Sequence, residues 1–153
     1  MSVKEHKNVT AMDMKMTAKI RKTDDGSIYG ELKSKYFEEP FTFSNLMGMI
    51  EMMETVFDTK GFPERQFLPR AFGGEKRRLR KNEIDLPAYV KEHTVSEEQT
   101  QTGIVCTFEI LVRFRHNADW QGSVRWVEID TVKQFASIVE LVKSIDDALS
   151  KEN

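Results

Sequence analysis

The sequence predicts an α+β protein in which two ββα repeats form a four-stranded antiparallel sheet with two helices on one face. Three observations predict it. Residues 12–21 and 104–114 alternate apolar and polar side chains with a period of two, the mark of strands with one wet face. Each is followed by a turn-rich tract, a second strand and then apolar residues at helical spacing. The apolar positions of the two helices also align one for one: Phe43 with Phe135, Leu46 with Ile138, Met47 with Val139, Ile50 with Val142, Met53 with Ile145 and Phe57 with Leu149.

In the first unit, residues 11–58, Met12, Met14, Met16, Ala18 and Ile20 form the buried face of the opening strand. TDDGS (23–27) makes a turn in which Gly26 supplies a positive φ. The strand over 28–36 returns with Ile28, Leu32 and Tyr36 on one side and Tyr29, Glu31, Lys33 and Lys35 on the other. The helix that follows ends at Gly61 and Pro63. Residues 59–101 form the connecting segment, rich in Gly and Pro, with the basic run KRRLRK (76–81) and room for a short helix in NEIDLPAYVKEH. The second unit, 102–150, repeats the plan. Its strand over 104–114 carries Ile104, Cys106, Phe108, Ile110, Val112 and Phe114 on the core side. HNAD (116–119) is the turn, and the strand over 120–129 returns with Trp120, Val124 and Trp126 in phase. Thr131 and Gln134 fit a capping box for the last helix. Each returning strand carries a glycine early, Gly30 and Gly122. The whole of 1–153 reads as a single domain.

With 39% hydrophobic and 31% charged residues, the chain has material for a core and a well-solvated surface, which argues against global disorder. Its net charge of −2 leaves no overall field for nucleic acid or membrane, so any such argument rests on local charge. One cysteine, Cys106, allows no internal disulfide and falls on the core side of its strand, as an inert thiol does. No apolar stretch has the length of a membrane span, and MSVKEHKNVT lacks a signal-peptide core; a soluble cytoplasmic protein is the expectation.

Catalytic and metal signatures are weak. His6, His93 and His116 have no paired-ligand spacing, FGGEKRR lacks the phosphate-loop pattern, and no nucleophile elbow occurs. We expect no cofactor, no metal and no enzymatic activity. Charge is more informative. The wet faces of the strands carry Lys15, Lys19, Arg21, Lys33, Lys35, Arg113, Arg115 and Arg125 against Asp13, Glu31 and Glu109. The helix surfaces carry Glu51, Glu54, Asp58, Glu140, Asp146 and Asp147. A basic sheet face with an aromatic such as Tyr29 suits a nucleic-acid backbone, and Arg77, Arg78 and Arg80 would extend it as an arm.

The stretch RFRHNADWQGSVRW, followed by QFASIVELVKSIDDAL, resembles a C-terminal motif of small bacterial proteins often linked with mobile elements. Its pattern is Arg-x-Asn-x-x-Trp-Gln-Gly-x-Val-x-Trp and a Phe-led helix, matched by Arg115, Asn117, Trp120, Gln121, Gly122, Val124, Trp126 and Phe135. The first unit lacks both tryptophans. The resemblance implies no activity of its own, but its context admits an anti-CRISPR-type inhibitor. The expected function is therefore a non-enzymatic binding protein for a nucleic acid or a nucleic-acid-bound protein. Its platform would be Lys19, Arg21, Lys33, Lys35, Arg113, Arg115 and Arg125. The alternative is a protein–protein module using Met49, Met52 and the acidic helix faces. A third reading is a metal-dependent nuclease at His116, Asp119 and Trp120.

Overall fold

The computed structural model describes residues 10–66, 84–94, 104–116 and 119–151. Six strands form one antiparallel path in the order β3-β2-β1-β5-β6-β7. They are β1 (Met16–Lys22), β2 (Ile28–Lys33), β3 (Phe41–Phe43), β5 (Ile104–His116), β6 (Asp119–Trp126) and β7 (Thr131–Phe135). A two-residue strand, β4 (Arg65–Gln66), pairs in parallel with the far end of β5. The helices are α1 (Leu46–Lys60), α2 (Leu86–His93) and α3 (Ile138–Lys151).

The α+β class and the antiparallel sheet are as expected, but the sheet is wider than the predicted four strands, and two ββα repeats are not what forms. A third strand precedes α1 and another precedes α3. Phe43 and Phe135, expected to open the helices, are the last residues of β3 and β7. A residue three positions before a helix is in phase with its apolar face, so helical spacing alone does not separate the two states. The expected Thr131–Gln134 capping box lies inside β7 for the same reason. The helix instead starts beyond Ser137, whose hydroxyl accepts from the Glu140 N–H, while the Glu140 carboxylate accepts from the Ala136 N–H.

Two three-stranded meanders meet at the β1–β5 pairing, where Ala18 lies opposite Phe108 and Ile20 opposite Cys106. One face of this sheet holds the core: Met16, Ala18, Ile20, Leu32, Phe41, Phe43, Phe108, Ile110, Val112, Trp120 and Val124. Cys106 is fully buried among them, its thiol donating to the Ala148 carbonyl at 3.9 Å. From α1 the core receives Met49, Ile50, Met52, Met53, Val56 and Phe57, and from α3 it receives Leu141, Ile145, Ala148 and Leu149. Met47 and Val139, expected on the buried helix faces, are exposed, and Leu141 is buried instead; Met49 and Met52 widen the buried face of α1. Leu86 and Val90 of α2 join the same cluster, and the Thr94 hydroxyl after α2 accepts the Thr42 N–H of edge strand β3. Asp85 and Pro87 start α2 as a cap and a first-turn proline.

Gly30 and Gly122 occupy equivalent places. Gly30 pairs with Ile20 and Phe43, and Gly122 pairs with Val112 and Phe135. Each lets a neighbouring backbone approach where a side chain would not fit: an added Cβ would lie 2.2 Å from the Lys19 carbonyl oxygen or 1.9 Å from that of Leu111.

The predicted opening strand begins instead as a 3-10 turn over Ala11–Met14, which seats Met14 in the core. Asp13 closes it by accepting from the Thr10 N–H and from Lys35 Nζ at 2.9 Å. The Thr10 amide, followed by Lys35, holds the Asp13 carboxyl below its ordinary 3.8. Since the folded carboxyl is the stronger acid, this turn is stabilised above the unfolded value of about 3.9 and loses that support as pH falls through the folded one. A carbon-detected NMR titration of Asp13 is expected to give a midpoint below 3.8; a midpoint at or above 3.8 would contradict the assigned contacts.

Candidate nucleic-acid interface

The face of the sheet opposite α1 and α3 carries the charged side chains that the strand alternation predicts. Its rows follow from the register. Lys33, Thr17, Glu109, Arg125 and Val132 run across β2, β1, β5, β6 and β7. Beside that row lie Glu31, Lys19 and Thr107, and then Tyr29, Arg21 and Val105. This face presents Lys15, Lys19, Arg21, Lys33, Arg113 and Arg125 against Glu31 and Glu109, so cations predominate. Strand order therefore brings Lys19, Arg21 and Lys33 together on β1 and β2, with Arg113 towards the opposite end of β5.

Not all of the expected platform is available as positive charge. Glu109 sits between Arg125, at 3.1 Å, and Lys15, at 3.7 Å. Arg125 also donates from Nε to Asp130 at 3.0 Å; that bond, ahead of Glu109, raises its pKa and fixes it as a cation. Lys35 lies beyond the end of β2 and is held by Asp13. These exposed pairs contribute little to stability, but they lower the field in the middle of the sheet. Arg77, Arg78 and Arg80 lie outside the described residues.

Arg115 is the main correction. It was expected on the wet face with Arg113 and is instead 2% exposed. Phe114, expected in the core, is 56% exposed. A β-bulge causes both reversals. On β5, Val112 pairs with Gly122 and Phe114 pairs with Gln121, so Arg113 is an extra residue and the alternation inverts beyond it. Arg115, opposite Trp120, then turns inwards.

Inside, Arg115 joins elements far apart in sequence. Its Nε donates to the Pro63 carbonyl at 2.7 Å. Its Nη1 donates to Glu54 Oε1 and Asp58 Oδ1, each at 2.8 Å. Trp120 Nε1 donates to the other oxygen of Glu54 at 2.9 Å. Phe57, between the two acids on α1, packs edge-on against Trp120 with centroids 5.3 Å apart and lies 5.5 Å beneath the guanidinium. Glu54 and Asp58 stand one helical turn apart, a repulsive spacing for like charges that the arginine between them reverses. These acids, expected on the exposed helix surface, are largely covered. Local sequence carries no sign of this cluster, whose partners are 57 and 61 residues apart.

The His116–Asp119 pair also serves the fold. The two residues pair across β5 and β6, and Asp119 Oδ1 accepts the N–H of Trp120 and of Ile138, capping the start of α3. Trp120 is buried. Among the described residues no group of histidine, cysteine, aspartate and glutamate is placed to hold a metal ion. Met49 and Met52, the proposed adaptable surface, are both buried. A cavity of about 160 Å³ between β3, α1 and α2, walled by Phe41, Phe43, Met52, Tyr89 and His93, lies away from the basic face. No helix among the described residues is long and apolar enough to cross a membrane. No family model, curated protein or solved structure matches the chain.

Proposed function

We propose that the protein is a non-enzymatic binding protein that holds a nucleic-acid backbone against the open face of its sheet. The observation that carries this reading is the cation-rich outer face, with Lys19, Arg21 and Lys33 adjacent on β1 and β2 and no described helix packed over them. Long cationic side chains on a flat antiparallel face meet successive phosphates and release their counterions. An inhibitor of a CRISPR-type nuclease is one concrete form of this activity, since a protein of this kind would compete for the enzyme's nucleic acid. The resemblance of the second hairpin to proteins of mobile elements supports that form.

Fluorescence anisotropy with labelled oligonucleotides at low salt tests the reading. Binding is expected to weaken steeply as salt rises. The double variant Lys19→Gln/Lys33→Gln is expected to reduce the slope of log affinity against log salt by about 2, one for each phosphate no longer neutralised. Absence of binding to RNA and DNA at low salt, or a slope unchanged in the double variant, would reject the proposed face.

A further inference from the structure

We propose that Phe114 is a stacking plate for an unpaired base, so that the interface takes single-stranded nucleic acid in preference to duplex. The inference rests on the basic-face reading above and specifies its ligand. A regular β5 would bury Phe114; the bulge at Arg113 turns it out, where it is 56% exposed. The inward turn of Arg115 accounts for the bulge, but it does not account for a phenyl ring at the preceding position. Any strand-forming polar residue would satisfy the backbone there without an apolar surface in water. Among the described residues, Phe114 takes part in no ring–ring or cation–ring pair.

Its surroundings fit a base better than a protein surface. Gln121 lies opposite Phe114, Arg113 precedes it, and His116 is two positions further along the strand; all three are exposed. Among the described residues, these groups offer hydrogen-bond donors and acceptors around one apolar plate. Val132, an exposed apolar residue of the same face, is paired with Arg125, four residues from Gln121 along β6, or about 13 Å away at strand spacing. A protein-docking patch needs a few hundred Å² of contiguous apolar surface. One exposed ring edged by Arg, Gln and His instead offers a flat π-face of base size. In a duplex both faces of each base are covered by neighbours, so only an unpaired base stacks there.

The test uses the full chain, a labelled single-stranded oligonucleotide and the same strand annealed to its complement. Wild type is expected to bind the single strand more tightly. Phe114→Ser is expected to lose roughly tenfold on the single strand with little change on the duplex. Phe114→Trp is expected to retain binding, with its added indole fluorescence quenched by the single strand. Equal affinity for the two forms, or single-strand binding unchanged in Phe114→Ser, overturns the stacking role even if the lysine variant confirms the basic face. If wild type binds neither form, the basic-face reading fails and this inference fails with it. Should Phe114→Ser not fold, quenching in Phe114→Trp decides: an unquenched indole on a bound single strand rejects the plate.

Discussion

Gly122→Ala is expected to abolish the cooperative folded state. The methyl group would stand 1.9 Å from the Leu111 carbonyl oxygen and 2.9 Å from the Val112 Cα. Both obstacles are backbone atoms of the paired strand, so no rotamer change relieves the clash, and the β5–β6 ladder must part. We expect a loss of more than about 4 kcal/mol, in the range reserved for severe backbone or core defects. Thermal unfolding followed by circular dichroism and the yield of folded protein will measure it. Gly30→Ala is expected to behave alike, since its methyl would meet the Lys19 carbonyl oxygen. Gly26 supplies the control. It has a positive φ of 88° in an open turn with nothing near the added atom, so Gly26→Ala is expected to cost only about 1–2 kcal/mol of backbone strain. Equal losses at Gly26 and Gly122 would show that close strand approach is not what these glycines serve.

Arg115→Ala should be the most damaging side-chain truncation outside the apolar core. It leaves Glu54 and Asp58 facing each other one turn apart on α1 and removes the donor to Pro63. Breaking a buried charge cluster by deleting one partner costs about 3–5 kcal/mol. The partial exposure of both acids, 22% and 18%, places this case near 3. Urea unfolding will give the value. If the damage comes from stranded carboxylates, Arg115→Ala in a Glu54→Gln/Asp58→Asn background should cost about 1–2 kcal/mol less than in the wild-type chain. Additive losses would instead assign the effect to packing against Phe57.

Much of the architecture is legible in the sequence because the long strands are amphipathic on a period of two. Residues 16–21 and 105–112 keep that period unbroken, and their faces are as expected. β3 and β7 are different. Three residues ending in Phe43 are too few to show alternation, and β7 has four exposed residues before Phe135. Each phenylalanine also stands in phase with the helix after it. The bulge leaves no local trace either, because Phe-Arg alternation reads equally well in both registers across Arg113. Only the remote carboxylates of α1 decide which of Phe114 and Arg115 goes inside. The candidate interface was legible where it depends on strand parity, at Lys19, Arg21, Lys33 and Arg113. It was illegible where an acidic neighbour from another strand or turn neutralises a cation, as Glu109 and Asp130 do for Arg125.

The motif of the second hairpin gains a physical meaning from these interactions. Arg115 and Trp120 both reach Glu54, Gly122 admits the backbone of β5, and Val124 is buried. Arg115 and Trp120 thus tie the hairpin to α1, while Gly122 and Val124 serve its strand pairing and core. Arg113 and Phe114, just before Arg115, and Gln121, between Trp120 and Gly122, are exposed instead.

The central β1–β5 pairing has a consequence for biogenesis. Its partners are separated by 82 positions at one end, Lys22 to Ile104, and by 94 at the other, Met16 to Ile110. During synthesis the first meander waits with one backbone edge of β1 unpaired until β5 has left the ribosome. At about 5–20 residues per second, that interval is several seconds. Such high contact order slows folding towards the millisecond-to-second range. In a nascent chain arrested before residue 104, the edge of β1 that faces β5 has no partner strand, the kind of open edge that favours pairing between chains.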